Sequence, residues 1–312
     1  MVTPGMAYST VPLWNTGGEI KAGTSMSTPH AAGLVALLLS ALEAEGRTAT
    51  ATQLEQALRV TARHLSGATE TDEGYGMPQI EAAYRWLQAG HAASRFIVRA
   101  VPASLAQGAR PGAGPPVEVA RSDARPSAAY RRFGLGWPGD TVQAFLVTRV
   151  PDAGSRTGAA GPATYRLSSD APWLEPAHAT VTLDAAGTAR IEVRYDRTRL
   201  ARPGRYVGSV SAVPAGDSAA GPAFRMVNEI IVPDSGTWGT ASVPGRTLPG
   251  GQAWRYYVNV PVGASDLSVR AVVPDTTARA SLALFEPSGR PSPLREARPR
   301  DDRRRPAALG GG

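Results

Sequence analysis

The sequence predicts two regions of different class: an α/β segment up to about residue 93, then all-β, sandwich-like domains. Three observations predict this. Apolar residues follow helical spacing as far as Leu87. After Ala93 the period switches to strand alternation, first in Arg95–Val101. From there to about residue 233, short β-branched runs recur between turns. The two periods are separable because side chains repeat every 3.6 residues around a helix and every two along a strand. Short strands at regular spacing suggest a sandwich.

The totals narrow the classes. A chain of 312 residues has room for two or three domains and a real core. Its 34 Gly and 27 Pro, beside 42% apolar residues, mean a globular chain with many turns and some loose linkers. The absence of cysteine excludes disulfides, thiolate metal sites and a cysteine nucleophile. A net charge of +7 invites a nucleic-acid partner, but the distribution argues against one. Residues 1–89 carry five basic and eight acidic side chains, whereas 290–312 carry seven Arg and three acids. The excess is a tail plus scattered Arg, with Lys21 the lone lysine, and no basic stripe interleaved with aromatics. No run approaches the roughly 18 apolar residues of a membrane span. Met1–Gly5 has neither the charged start nor the apolar core of a signal peptide.

The elements follow in order. Val2–Gly5 is turn chemistry, Ala7–Pro12 a short extended run, and Asn15–Gly18 a hairpin loop. Gly23 gives a tight backbone just before Ser25, and a helix begins there. A helix start leaves unpaired N–H groups and a partial positive charge. A serine forming an oxyanion intermediate could use its own N–H at such a place. The plainer alternative is that Ser or Thr merely caps the helix. Ala31–Ala44 is apolar almost all round, so a helix buried on most faces is expected, too short to cross a bilayer and stopped at Gly46. Thr52-Gln53-Leu54-Glu55 fits a capping box for an amphipathic surface helix with Leu54, Ala57, Leu58, Thr61 and Leu65 on one face. Glu70, Asp72 and Glu73 read as a solvated loop before the turn Gly74–Pro78, although such an oxygen cluster also suits a structural calcium ion. Ile80, Ala83, Tyr84 and Leu87 mark a third helix.

Residues 102–129 read as a Pro/Gly/Ala-rich linker. Strands are predicted at Val142–Val150, Ala163–Leu167, Thr180–Leu183, Ala189–Tyr195, Arg205–Val213 and Phe224–Val232. A second β segment holds Ala253–Val260, Leu267–Val273 and Ser281–Phe285, then gives way to a Pro/Arg-rich tail that cannot form a core. That second segment reads as unfinished, so a truncated C-terminus or a misread frame is expected. The predicted organisation is an α/β region over 1–93, a β-sandwich (Ig-like) domain over 94–233, a partial second β domain over 234–286 and a disordered tail over 287–312.

Gly23-Thr24-Ser25-Met26-Ser27-Thr28-Pro29-His30-Ala31-Ala32-Gly33 resembles, nearly position for position, the nucleophile motif of the subtilisin-like serine proteases, the subtilases. Thr3–Ser9 is similar to the strand region that family places upstream of it. The succession of nucleophile helix, amphipathic helix, Gly-Tyr-Gly turn and last helix is similar to the way subtilases close their catalytic domain. The resemblance implies that residues 1–93 are the C-terminal part of a parallel-sheet catalytic domain. It implies that Ser25 is the nucleophile and His30 a packing residue of its helix. It also implies peptide-bond hydrolysis through an acyl-enzyme, polypeptide substrates and no cofactor in the chemistry. Gly136–Asp140, Ala171–Leu174, Pro203–Tyr206 and a galactose-binding-like segment over 234–286 resemble the tripeptidyl-peptidase II branch, which implies tripeptide release and homo-oligomers. Bacterial subtilases are usually exported and that branch is cytosolic; the balance leans to export.

Serine needs an adjacent base to take its proton and an acid to orient that base. Subtilases carry both, and the Asn that donates the second oxyanion bond, far upstream of the serine. Ser25 has 24 residues before it, with no Asp and no His among them. His64 reads as a surface residue near a helix end, His91 lies in an exit linker, His178 in the β region, and Asn15 in a loop. The chain is therefore expected to be a serine peptidase by family that carries only the nucleophile and is inactive alone. The alternative is a non-catalytic β-sandwich binding module with a vestigial protease end.

Overall fold

The computed structural model describes residues 1–10, 16–101, 127–131, 134–135, 140–150, 162–234, 247, 253–260 and short runs between 263 and 292. It divides into two compact units, Met1–Asn259 and Val260–Gly312. The first unit opens with β1 (Met6–Thr10) and β2 (Gly18–Ala22), paired antiparallel from Met6↔Ala22 to Thr10↔Gly18. Among the described residues, the region before residue 93 has this hairpin and no parallel strands. Parallel neighbours need a long crossover connection, and the residues before the first helix hold only a hairpin.

Helix α1 (Thr24–Ala44) is longer than the predicted Ala31–Ala44, since it starts at the serine motif itself. At 21 residues it is long and apolar enough to cross a membrane by length and composition, a test that core helices also pass. Its surroundings correct the expected burial: only Leu38 and Leu42 are buried. Leu37 is 62% exposed and Leu39 43%. Its C-terminus closes as foreseen at Gly46. The Arg47 N–H donates to the Leu42 carbonyl and the Gly46 N–H to that of Glu43, the two bonds of a Schellman motif.

The second helix, α2 (Ala51–Val60), is capped by Thr50 with Gln53, not by Thr52 with Glu55. Thr50-Ala51-Thr52-Gln53 satisfies the same capping pattern two residues earlier, and Thr50 has the extended backbone a cap requires. Predicted as a solvated loop, Glu70–Glu73 is instead a helical turn, α3, capped by Thr69 with Asp72. Helix α4 (Ile80–Ala89) ends at Gly90. Leu38, Leu42, Leu54, Ala57, Leu58, Ala83, Trp86 and Leu87 form one buried cluster beneath α1, α2 and α4.

The β region begins at β3 (Arg95–Ala100). Next come β4 (Ala128–Arg131), β5 (Val142–Val150), β6 (Thr164–Ser169), β7 (Leu174–Pro176) and β8 (Thr180–Thr182). Then follow β9 (Thr188–Tyr195), β10 (Gly204–Pro214) and β11 (Phe224–Val232). One sheet has the order β4-β11-β10-β6-β8 and the other β3-β5-β9-β7. Their inward residues alternate along each strand and share a single core that includes Phe145, Val147, Leu174, Val193, Val210, Met226 and Ile230, all fully buried. Sequence reading missed β4, which straddles the end of the predicted linker and runs parallel to β11, and the three-residue β7.

A second β segment is sparser than predicted. Residues 253–259 belong to the first unit, where an isolated bridge pairs Asp234 with Val258. In the second unit, the described ladder pairs β12 (Leu284–Phe285) with β13 (Pro291–Ser292). Asn15, Gly136–Gly139 and most of 287–312 lie outside the described residues.

The helices are fastened to the sheets by specific bonds. Gln56 Nε2 donates to the Pro222 carbonyl at 2.7 Å and Trp86 Nε1 to the Ala220 carbonyl at 3.1 Å. Asp72 accepts from Arg205 Nη1 at 3.0 and 3.1 Å, and Arg225 Nη1 donates to Glu70 at 3.0 Å. Glu70 and Asp72 of α3 are therefore ion-paired against the outer face of a sheet, which is why they do not behave as a loop.

Candidate active-site serine and its surroundings

Gly23 precedes the helix with φ 151° and ψ 172°, a conformation that side chains other than hydrogen rarely adopt. That backbone turns the chain sharply into α1. Gly23 N–H donates to the Gly5 carbonyl at 2.7 Å, and Thr3 Oγ1 to the Ser27 carbonyl at 2.7 Å. The residues just before β1 thus hold the first turn of α1 in place. A Cβ on Gly5 would lie 3.2 Å from Ser27 Oγ, so the fit at this strand entry is close.

Ser25 is the second residue of α1 and is exposed. The Met26 N–H donates to the Gly23 carbonyl at 3.0 Å. The N–H groups of Thr24 and Ser25 come before that first bond and have no helical acceptor. No acidic side chain occupies the first turn and Gly23 supplies no side-chain cap. The local field is therefore that of a bare helix N-terminus, which favours negative charge at Ser25. Four residues on, Pro29 has no N–H to offer the Ser25 carbonyl.

None of the chain's four histidines is bonded to Ser25. His30, expected to pack, is exposed, and its Nδ1 lies 2.8 Å from the Met26 carbonyl one turn back. His64 is on the surface as predicted, paired with the buried carboxylate of Glu73, whose Oε2 also accepts the Leu65 N–H at 2.9 Å. His91 Nδ1 sits 2.8 Å from Asp217 Oδ2, and its ring lies 5.2 Å from that of Trp86. The bond from His91 is the main reason the Asp217 carboxyl falls below its ordinary value. His178 lines a small cleft with Arg190 and Glu192, on β9 and beside β8. The His91–Asp217 pair was missed in the sequence because its members lie far apart along the chain and meet only through the fold. Among the described residues, no group of three or more His, Cys, Asp or Glu is placed to hold a metal ion.

The Gly74–Pro78 turn completes the neighbourhood. Gly76 has φ 100°, and a Cβ there would come within 2.5 Å of the Arg63 carbonyl, so only glycine fits the close pairing of Arg63 with Met77. The Gly76 carbonyl in turn accepts the Val2 N–H at 3.0 Å. The turn therefore carries the strand entry that carries the serine.

Comparison with known proteins bears on this segment directly, for the sequence profile of the subtilase family matches residues 2–77. Residues 2–77 are thus similar to the subtilases. Pyrolysin of Pyrococcus furiosus is 26% identical over 253 residues, which is 76% of this chain and 16% of pyrolysin. Tripeptidyl-peptidase 2 of Oryza sativa subsp. japonica is 38% identical over 88 residues, 27% of this chain and 6% of that protein. The crystal structure of tripeptidyl peptidase 2 aligns with a TM-score of 0.52 at 22% identity, over 68% of this chain and 16% of the other. The relationship is therefore to the subtilisin-like serine peptidases, on the tripeptidyl-peptidase 2 side, and the shared fold extends beyond the subtilase segment into the sheets. The chain spans between 6% and 16% of the length of these relatives.

Proposed function

We propose that residues 1–93 form the closing part of a subtilisin-like catalytic domain, with Ser25 as its nucleophile. The observation that carries this reading is the placement of Ser25: exposed, on the first turn of α1, with no helical acceptor for its own N–H and its turn pinned by Gly5 and Thr3. In the reaction, Ser25 Oγ would add to a peptide carbonyl while a base takes its proton. The Ser25 N–H would hold the oxyanion, the amine would leave with that proton, and water would release the acyl group. The base, its orienting acid and the second oxyanion donor would come from polypeptide outside these residues. No cofactor enters the scheme, and the substrates would be polypeptides, cleaved to tripeptides if the parent follows its tripeptidyl-peptidase relatives. In this reading, residues 94–233 are an Ig-like sandwich and 234–286 part of a galactose-binding-like domain, both accessory to the peptidase.

The exposed apolar residues of this region support the same reading. Leu37 and Leu39, on either flank of the buried Leu38, and Ile20 and Tyr8 of the hairpin are open side chains of the kind a further layer would cover. A fluorophosphonate probe tests the proposal. The chain alone should show no labelling that depends on Ser25, and the chain co-expressed with subtilase polypeptide supplying the Asp, His and Asn should gain it. Strong labelling of the chain alone, abolished by Ser25→Ala, would overturn the dependence on an outside base. No labelling in the complemented protein would overturn the nucleophile.

A further inference from the structure

Ser209 Oγ on the outer face of β10 stands between two carboxyl groups. It is 2.8 Å from Asp170 Oδ2, after β6, and 3.0 Å from Glu70 Oε1 on α3. A hydroxyl owns one proton and can donate to one carboxylate at a time. Asp170 has the stronger hold on it, because its Oδ1 also accepts the Ser209 N–H at 2.7 Å. Glu70 Oε1 then faces the Ser209 oxygen with no proton between them, unless Glu70 brings its own. Its other oxygen, Oε2, is buried without a partner among the described residues.

The charges around Glu70 come from every element packed there. Arg225 of β11 donates to Glu70 and lies over the ring of Tyr75, which also lies beneath Arg59 of α2. Arg205 of β10 is shared between Asp72 and Glu229, and Arg255 also approaches Asp72 at 3.4 Å. Glu73 is taken up by His64 and the Leu65 N–H. That leaves Asp170 as the carboxylate facing Glu70 across the hydroxyl. Burial, then the Asp170 charge, push the Glu70 carboxyl above its ordinary value, against the opposing pull of Arg225 and Ser209.

We propose that Glu70, Ser209 and Asp170 form a proton-linked latch between the subtilase segment and the sheets. A proton held on Glu70 completes a carboxyl–hydroxyl–carboxylate chain. Its loss as the pH rises leaves two carboxylates competing for one hydroxyl. The element that yields is α3, a single four-residue turn whose attachment to the sheet is made of such bonds. The latch stands whether or not Ser25 is a nucleophile.

The direction follows from linkage. Glu70 titrates above its ordinary 4.5 when folded, so its contribution is full below 4.5 and is lost as the pH rises through the raised value. Asp72 runs the other way: burial raises its carboxyl, but bonds from Thr69 and Arg205 outweigh that and leave it below 3.8. Its contribution is full above 3.8 and is lost as the pH falls through the lowered value. The junction is therefore tightest between these two ordinary values.

Thermal unfolding of the whole 312-residue chain against pH, for the native protein and for Glu70→Gln, tests the latch. Glutamine resembles the protonated acid and carries no charge. As the pH rises from 4.5 toward 7.5, the native Tm should fall by about 2–4 °C relative to that of the variant. In parallel, the Glu70 carboxyl resonance should titrate above the usual carboxylate range, and Asp170→Asn should lower its midpoint. Parallel Tm profiles for the native chain and Glu70→Gln would overturn the proposal. So would a Glu70 carboxyl that titrates at its ordinary value. Should the glutamine variant fail to fold, the carboxyl titration of the native and Asp170→Asn chains still decides.

Discussion

Helix α1 and the two-sheet region are both rich in apolar side chains, and they end in opposite states. In the sheets, Phe145, Leu174, Val193, Val210, Met226 and Ile230 are fully shielded, because each inner face meets the other. In α1, Leu38 and Leu42 are shielded by α2 and α4, while Leu37 and Leu39, adjacent in sequence, stand in the open. The difference teaches that hydrophobicity supplies only half of a core. An apolar face is buried when a second layer exists to cover it, and the described residues supply that layer for the sheets but for only one side of α1.

The sharpest break of this comparison is Phe145→Ala. Phe145 is wholly enclosed between the sheets. Truncation there should cost about 3–5 kcal/mol, read as a lower denaturant midpoint for the β region. A loss below about 1 kcal/mol would mean that the sheets do not share the tight core described. Leu42→Ala comes next, at about 2–5 kcal/mol, because Leu42 sits in the cluster under α2 and α4. Hydrogen exchange localises this second effect: it should speed exchange in α2 and α4 and leave β5 and β9 protected.

These contrasts also mark how far the sequence could be read. Alternation and β-branched runs exposed β5, β9, β10 and β11 almost to the residue. It could not expose β4, a short edge strand amid Pro and Gly, or β7, too short to show a period. The serine turn was legible because glycine, serine and helix start are contiguous. The acids of α3 were not legible as a docking turn. Glu70 and Asp72 gain their meaning from Arg205, Ser209 and Arg225, more than a hundred residues away. The burial of α1 was misjudged for the same reason, since a helical pattern states what a face would bury and not whether a partner is present.

Thr50→Ala tests the corrected start of α2. Thr50 Oγ1 accepts the Gln53 N–H at 3.2 Å, and Gln53 Oε1 accepts the Thr50 N–H at 2.8 Å. Removing the cap should cost about 1 kcal/mol in a chemical-denaturation measurement, and Thr52→Ala should cost less. The reverse ranking would return the cap to Thr52.

Leu37→Ala carries the smallest expected change in stability and the most direct test of the exposed face. It is nearly the same truncation as Leu42→Ala, one and a half turns away on the same helix. Leu37 is 62% exposed, so little surface leaves water on folding and no cavity forms when the side chain is cut. The cost should stay within about 0.5 kcal/mol. What should change is association: Leu37→Glu, placing a charge on an open apolar patch, should lower the apparent mass in concentration-dependent light scattering while leaving the unfolding midpoint where it was. If instead Leu37→Ala costs as much as Leu42→Ala, the outer side of α1 is covered in solution. The contrast between a helix half in search of a partner and a pair of sheets that already have one would then fail.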